Sequence, residues 1–239
     1  MTSILRSTIA ALCISMLLAG AAYAVPSLQL DILGGTYDWS TQTITPNTES
    51  FTLFAYLDAN RFNPLTDTYT LSAALAPRTS YTPAGLSLGS FSINGSTVDV
   101  TSDMQYGIPP IETFLARDPG DLPSHGIFST YFMETPFNFT SSQQTTAYDT
   151  QLLTGRGPEA GTGMYYFAFN IDTSSLADGY VIHFDLYNTT VRGSDVDVNN
   201  LFAPFSHDAE SSQVPEPGTV MLLGSGLVGL ALYRFRFRT

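Results

Sequence analysis

Lysine is absent from this 239-residue chain, so its nine basic residues are all arginines, set against 21 aspartates and glutamates. The formal net charge is −12 and the isoelectric point lies near 4.3. That balance argues against a nucleic-acid partner, because phosphate neutralisation needs clustered Lys and Arg. Charged residues are scarce altogether, at 13%, where a soluble globular domain carries about 25%. Cysteine occurs once, as Cys13, and tryptophan once, as Trp39. Between residues 25 and 213 no stretch shows a helical hydrophobic period; residues 175–178 offer one turn at most. What is plentiful is aromatic: Tyr and Phe bring the aromatic share to 13%, which argues against disorder.

The two ends read as addresses. Residues 1–24 have the form of a secretory signal peptide: Arg6 supplies the positive region and an apolar stretch runs from Ile9 to Leu18. Ala22-Tyr23-Ala24 supplies the small-x-small pattern of signal peptidase, with Ala22 and Ala24 just before the cut and Val25 opening the mature chain. Cys13 falls inside this segment without the tripeptide of a lipoprotein signal, so it reads as an ordinary apolar residue. The mature chain is then free of cysteine, and disulfides are excluded even in an oxidising compartment.

At the other end, Val214-Pro215-Glu216-Pro217 precedes an uncharged apolar run over residues 218–233, and the chain closes on Arg234, Arg236 and Arg238. A helix over residues 219–233 would be about 22 Å long, short against a hydrocarbon core of about 30 Å. Arginine snorkelling and local thinning make a marginal span feasible. The basic tail belongs on the cytoplasmic side, which leaves the preceding domain outside. Pro215 and Pro217 keep the segment before the helix extended, where a protease can read it.

This arrangement over residues 214–239 resembles the PEP-CTERM sorting signal, with Pro215, Glu216 and Pro217 as the motif and Arg234, Arg236 and Arg238 in the tail. The resemblance implies that exosortase, a membrane protease-transpeptidase, removes the helix after signal peptidase has acted. The protein would be anchored in the inner membrane before processing. It would then pass to the cell surface or extracellular polysaccharide matrix of a Gram-negative bacterium.

Between the ends the sequence reads as β structure almost throughout. Strand candidates fall at residues 27–33, 36–40, 50–57, 68–76, 126–133, 164–172 and 180–187, separated by Gly, Pro, Asn and Asp. Residues 91–100 form the clearest local pattern, two alternating runs around Asn94-Gly95, a pair suited to a type I′ hairpin turn. Leu28, Leu30 and Ile32 share one strand face, with Gln29 and Asp31 on the other; Ile182, Phe184 and Leu186 likewise face away from His183 and Asp185. Residues 58–67, 117–125 and 143–163 read as loops. Residues 25–213 are thus expected to form one all-β domain, an antiparallel, jelly-roll-like β-sandwich of about eight to ten strands. Segments 28–37, 51–57, 117–132, 183–189 and 202–210 resemble the choice-of-anchor N proteins. That likeness implies an extracellular or envelope location and supplies no activity.

Motifs for chemistry are sparse. The histidines are His125, His183 and His207, and no Gly-x-Ser-x-Gly elbow lies outside the apolar tail. Ser206-His207-Asp208 are neighbours that an extended segment would point to alternate sides, so His207 reads as a polar loop residue. Without paired histidines or cysteines there is no zinc signature. Asp195, Asp197 and Asn199 occupy the first, third and fifth positions of a calcium-loop pattern. The glycine at six is missing and Ser206 stands where the bidentate glutamate belongs, which leaves a looser calcium site as the cofactor candidate. Tyr37, Trp39, Tyr131, Tyr165 and Tyr166 are candidates for stacking on sugar rings, although core packing is the commoner role of such residues. Asn94, Asn138 and Asn188 head Asn-x-Ser/Thr patterns, which suits surface positions. These observations describe an exported structural or adhesive protein with no catalytic residues, associated with extracellular polysaccharide. A carbohydrate-binding module is the alternative, and an extracellular hydrolase the third reading.

Overall fold

The structure is a computed structural model that describes residues 25–82, 87–110, 128–188 and 201–212. Thirteen strands run through these segments. In chain order they are β1 (Leu28–Ile32), β2 (Thr36–Asp38), β3 (Thr43–Thr45), β4 (Ser50–Leu57), β5 (Tyr69–Ala76), β6 (Ser90–Ile93) and β7 (Ser96–Asp99). There follow β8 (Gln105–Gly107), β9 (Thr130–Phe137), β10 (Gln144–Thr146), β11 (Gly163–Asp172), β12 (Val181–Asn188) and β13 (Asp208–Glu210). A single 3-10 turn, Phe205–His207, leads into β13.

Two sheets form. The first has the order β1-β4-β11-β6-β7, with β10 also beside β11; the second has the order β2-β3-β13-β12-β5-β9-β8. Pairing is antiparallel apart from β13 alongside β3. The all-β sandwich expected from the alternation is therefore observed. Four of the five runs that match long strands do so within a residue or so, and β4 coincides with residues 50–57. The fifth, β9, starts at Thr130 and runs to Phe137, later than the 126–133 expected.

The strands beyond the expected eight to ten are short. Three-residue β3, β8, β10 and β13 carry too few residues to display a period, and neighbouring strands impose their conformation. β10 lies inside the segment read as a loop over residues 143–163, where Thr145 of β10 pairs with Met164.

The hairpin forms as its turn chemistry requires. Asn94 and Gly95 take φ of 51° and 79°, the positive pair of a type I′ turn, between β6 and β7.

The core lies between the sheets. From the first come Leu28, Leu30 and Ile32 of β1 with Leu53, Ala55 and Leu57 of β4; from the second, Leu71 and Leu75 of β5 with Ile182, Phe184 and Leu186 of β12. All but Ala55 are large apolar side chains with no measurable exposure, worth about 1.5–3 kcal/mol each in burial. Phe137, Phe139, Phe167 and Phe169 close one region of this core, with Phe137 and Phe169 centroids 5.1 Å apart edge to face.

The alternate positions on these strands are where the molecule departs from a simple inside-outside rule. Gln29 and Asp31, on the far face of β1, have 0% exposure. On the far face of β12, Asp185 is 7% exposed and Tyr187 4%. The polar faces are covered along these two strands, whereas Ser50, Glu134 and Asn170 on neighbouring strands are exposed.

Candidate functional site

The covering of the first sheet comes from the segment after β10. Tyr148 packs edge to face on Tyr56, with centroids 5.3 Å apart, and its hydroxyl donates to Asp31 Oδ2 at 3.0 Å. Asp31 Oδ1 accepts from the backbone N–H of Gly155 at 2.8 Å and of Ile32 at 2.9 Å. Gln29 Oε1 accepts from the Thr150 N–H at 2.9 Å, while its amide donates to the Tyr148 carbonyl at 3.2 Å. These donors are neutral, so burial dominates and pushes the Asp31 carboxyl up to about 6. Gly155 permits this docking. Its φ is +80°, and a Cβ there would lie 2.6 Å from the Gly35 carbonyl oxygen.

The second sheet carries a different set. Register pairs His183 with Glu210 on β13 and with Ala74 on β5, and pairs Asp185 with Ser72. Continued by one residue, the β12/β13 register sets Asp208 beside Asp185. His183 Nε2 lies 3.3 Å from Asp185 Oδ1 and 3.8 Å from Asp208 Oδ2, and its Nδ1 is 3.6 Å from Glu210 Oε2. One ligand atom from each of His183, Asp185 and Asp208 falls within 4.8 Å of the other two. Burial alone would lower the imidazole pKa. Asp185, with Glu210 and Asp208, outweighs it and holds His183 well above the usual histidine range. Further along the same face, Tyr187 donates to Glu134, whose carboxyl burial pushes up. Tyr187 also stacks on Phe202 at 5.6 Å.

His207, read as a polar loop residue, sits in the 3-10 turn before β13 and is buried there, at 4% exposure. The 3-10 turn brings its Nδ1 to 2.9 Å from Ser206 Oγ, and its Nε2 lies 3.1 Å from Asp149 Oδ1. Burial pushes its pKa down, with Asp149 partly opposing. The acid in this chain of contacts is Asp149, more than fifty positions upstream, while the adjacent Asp208 turns toward His183. His207 and Asp208 thus point to different sides, as expected of neighbours entering an extended segment.

One expectation is revised. Asn188 is 3% exposed and donates to the Phe62 carbonyl, Asn63 Oδ1 and Asp67 Oδ2, so it is an internal anchor rather than a surface acceptor. Asn94 and Asn138 are exposed, as expected. Among the sugar-stacking candidates, Tyr131 is 2% exposed and donates to the Thr82 carbonyl at 3.4 Å. Tyr165 and Tyr166 are half-buried against the two hydrophobic clusters. Tyr37 is held by Gln151 Nε2 donating to its hydroxyl at 2.9 Å. Trp39, 68% exposed, stands edge-on to Tyr37 with centroids 4.8 Å apart. A shallow pocket elsewhere, on the first sheet, is lined by Ser50, Thr52, Ser92, Asn170 and Asp172 among others. Ala22, Ala24, His125, Asp195, Asp197, Asn199, Pro215, Glu216, Pro217, Arg234, Arg236 and Arg238 lie outside the described residues.

Fold and site together define an all-β sandwich with covered polar faces on β1 and β12. Residues 213–236 match the PEP-CTERM protein-sorting motif, which implies an exported, exosortase-sorted protein held in the membrane before cleavage. Neither curated proteins nor solved structures give a match to this chain. The choice-of-anchor N likeness of the middle accordingly has no support beyond the segments that suggested it.

Proposed function

We propose that this chain is a structural or adhesive component of the cell surface or extracellular polysaccharide matrix of a Gram-negative bacterium. It is a substrate of sorting enzymes and not itself a catalyst. The observation that carries this reading is the sorting motif at residues 213–236 behind an all-β sandwich domain. Ser206, the hydroxyl nearest a histidine, bonds the ring of its own neighbour within one turn. A nucleophile needs that hydroxyl aimed at a substrate. The acidic domain keeps such a protein soluble after release and disfavours rebinding to anionic membranes.

Fractionation with mass spectrometry of the mature C-terminus tests the proposal. In cells with exosortase the tail beyond the Pro-Glu-Pro motif is lost and the domain leaves the membrane fraction; in cells lacking it, the intact tail stays in the membrane. Recovery of chains ending at Thr239 from exosortase-positive cells would overturn the reading.

Trp39 favours a second reading, a carbohydrate-binding module. An indole exposed over two thirds of its surface and braced by Tyr37 offers a flat apolar face, with Gln151 and Asp149 nearby. Retention of the wild type on purified exopolysaccharide, lost in Trp39→Ala, would select it over a purely structural role.

A further inference from the structure

We propose that His183, Asp185 and Asp208 bind a divalent first-row transition-metal ion of the zinc or manganese class, with Ser72 placed to engage the bound ion or its water. The inference is independent of how the protein is sorted.

Three features of the covered face of the second sheet lead there. The first is the donor set. Imidazole Nε2 and two carboxylate oxygens converge within 4.8 Å of one another, with Nε2 at 3.3 Å and 3.8 Å from the two oxygens. Ligands bonded to one ion at about 2.0–2.2 Å stand roughly 3–4.4 Å apart, so small side-chain adjustments seat a single ion among all three. One imidazole with carboxylates suits zinc or manganese; calcium and magnesium prefer oxygen alone.

The second feature is Ser72. Its hydroxyl is fully buried and has no hydrogen-bond partner. It stands directly opposite Asp185 across β5 and β12, on the same face as the cluster. A buried hydroxyl without a partner costs about 1–3 kcal/mol, a cost that a bound ion or its water would relieve. Here the groups on its face are the ligand carboxylate and, on the other side, Glu134.

The third feature is the support behind the imidazole. Glu210 Oε2 sits 3.6 Å from Nδ1, where a carboxylate orients the ring so that Nε2 is the nitrogen turned toward Asp185 and Asp208. The ligands stand on paired strands rather than on loops, which holds their spacing. Side-chain exposures of about a tenth, 12% at His183 and 10% at Asp185, leave an approach for an ion.

The ordinary spacing signals of a metal site were absent because strand pairing, not a short motif, unites positions 183, 185 and 208. Like charges set side by side on neighbouring strands repel; His183 beside Asp185 and Asp208 offsets that in the metal-free protein, and a bound ion would take over that role.

The test uses the full chain, purified in mild detergent and stripped with chelator. Zn2+ or Mn2+ at about a hundredfold above its Kd is expected to raise the melting temperature by roughly 5–10 °C. Ca2+ and Mg2+ at the same concentrations should leave it unchanged. His183→Gln and Asp185→Asn should abolish the rise, whereas Asp195→Asn with Asp197→Asn should retain it. Should the ligand variants fail to fold, Co2+ titration of the wild type decides: visible ligand-field bands saturating at one equivalent support the site, and their absence overturns it. A melting temperature indifferent to Zn2+ and Mn2+, or a rise that survives His183→Gln, overturns the proposal. A His183-dependent rise with Ca2+ alone overturns the choice of ion.

Discussion

The two covered faces of this sandwich bury polar groups in opposite ways. On the first sheet a single carboxylate, Asp31, is ringed by neutral donors: the Tyr148 hydroxyl and the Gly155 and Ile32 amides. On the second, His183 is ringed by the carboxylates of Asp185, Asp208 and Glu210. The first arrangement satisfies hydrogen bonds and fastens a long loop to the sheet. The second concentrates charge on rigid strands, which adds little to stability but creates a place where a ligand can act. Burial of polar groups thus serves attachment in one place and chemistry in the other.

The contrast breaks most sharply if Asp31 is removed. Asp31→Ala takes this acceptor from the Gly155 and Ile32 amides and leaves the Tyr148 hydroxyl with Tyr56 alone, and should cost about 3–5 kcal/mol in urea denaturation. If the cost stays below about 1 kcal/mol, the loop is not fastened through this carboxylate.

The pH dependence follows from the same residue. A carboxyl raised from 3.8 to about 6 binds its proton more tightly in the folded state. Its contribution is favourable below the unfolded value and is lost as pH rises from about 4 toward 6, a change of about 3 kcal/mol. Asp31→Asn should flatten this window in melts recorded from pH 4 to pH 7; an unaltered profile would assign the titration elsewhere.

Gly155→Ala comes next. A side chain forced to φ +80° and against the Gly35 carbonyl should cost about 2–3 kcal/mol. Proteolysis within residues 149–157 measures the loosened loop directly.

On the second face the expected effect is small and of opposite sign. Ser72→Ala in metal-free protein removes a buried hydroxyl with no partner. It should be neutral or stabilising by about 1 kcal/mol. A loss of several kcal/mol would show that the hydroxyl is already engaged. Trp39→Ala should alter stability by about 0.5 kcal/mol or less, so any loss of polysaccharide retention in that variant reports on binding.

Much of the scaffold was legible from residue order. Long strands such as β4 and β11 announce themselves as runs rich in aromatic and aliphatic residues, and Asn94-Gly95 sets its own turn because few other pairs tolerate two positive φ angles. The candidate sites were much less so. Gln29, Asp31, His183 and Asp185 occupy the polar side of well-read strands, and alternation assigns that side to water. Whether another segment lies over it depends on contacts between residues more than a hundred positions apart, such as Gln29 with Thr150. Similarly, Asp149 meets His207 only because two distant segments share one edge of the fold.

The sequence by itself determined the β class, the inward faces of β1 and β12, the hairpin turn and the sorting motif at residues 213–236. Those features rest on local propensity, period and short motifs, which need no partner to be expressed. Tertiary structure alone decided that the polar faces of β1 and β12 are covered, that Asn188 is an internal anchor, and that His183 gathers Asp185, Asp208 and Glu210. Cross-strand neighbours are fixed by register and loop docking, and those are settled by the packing of the whole chain.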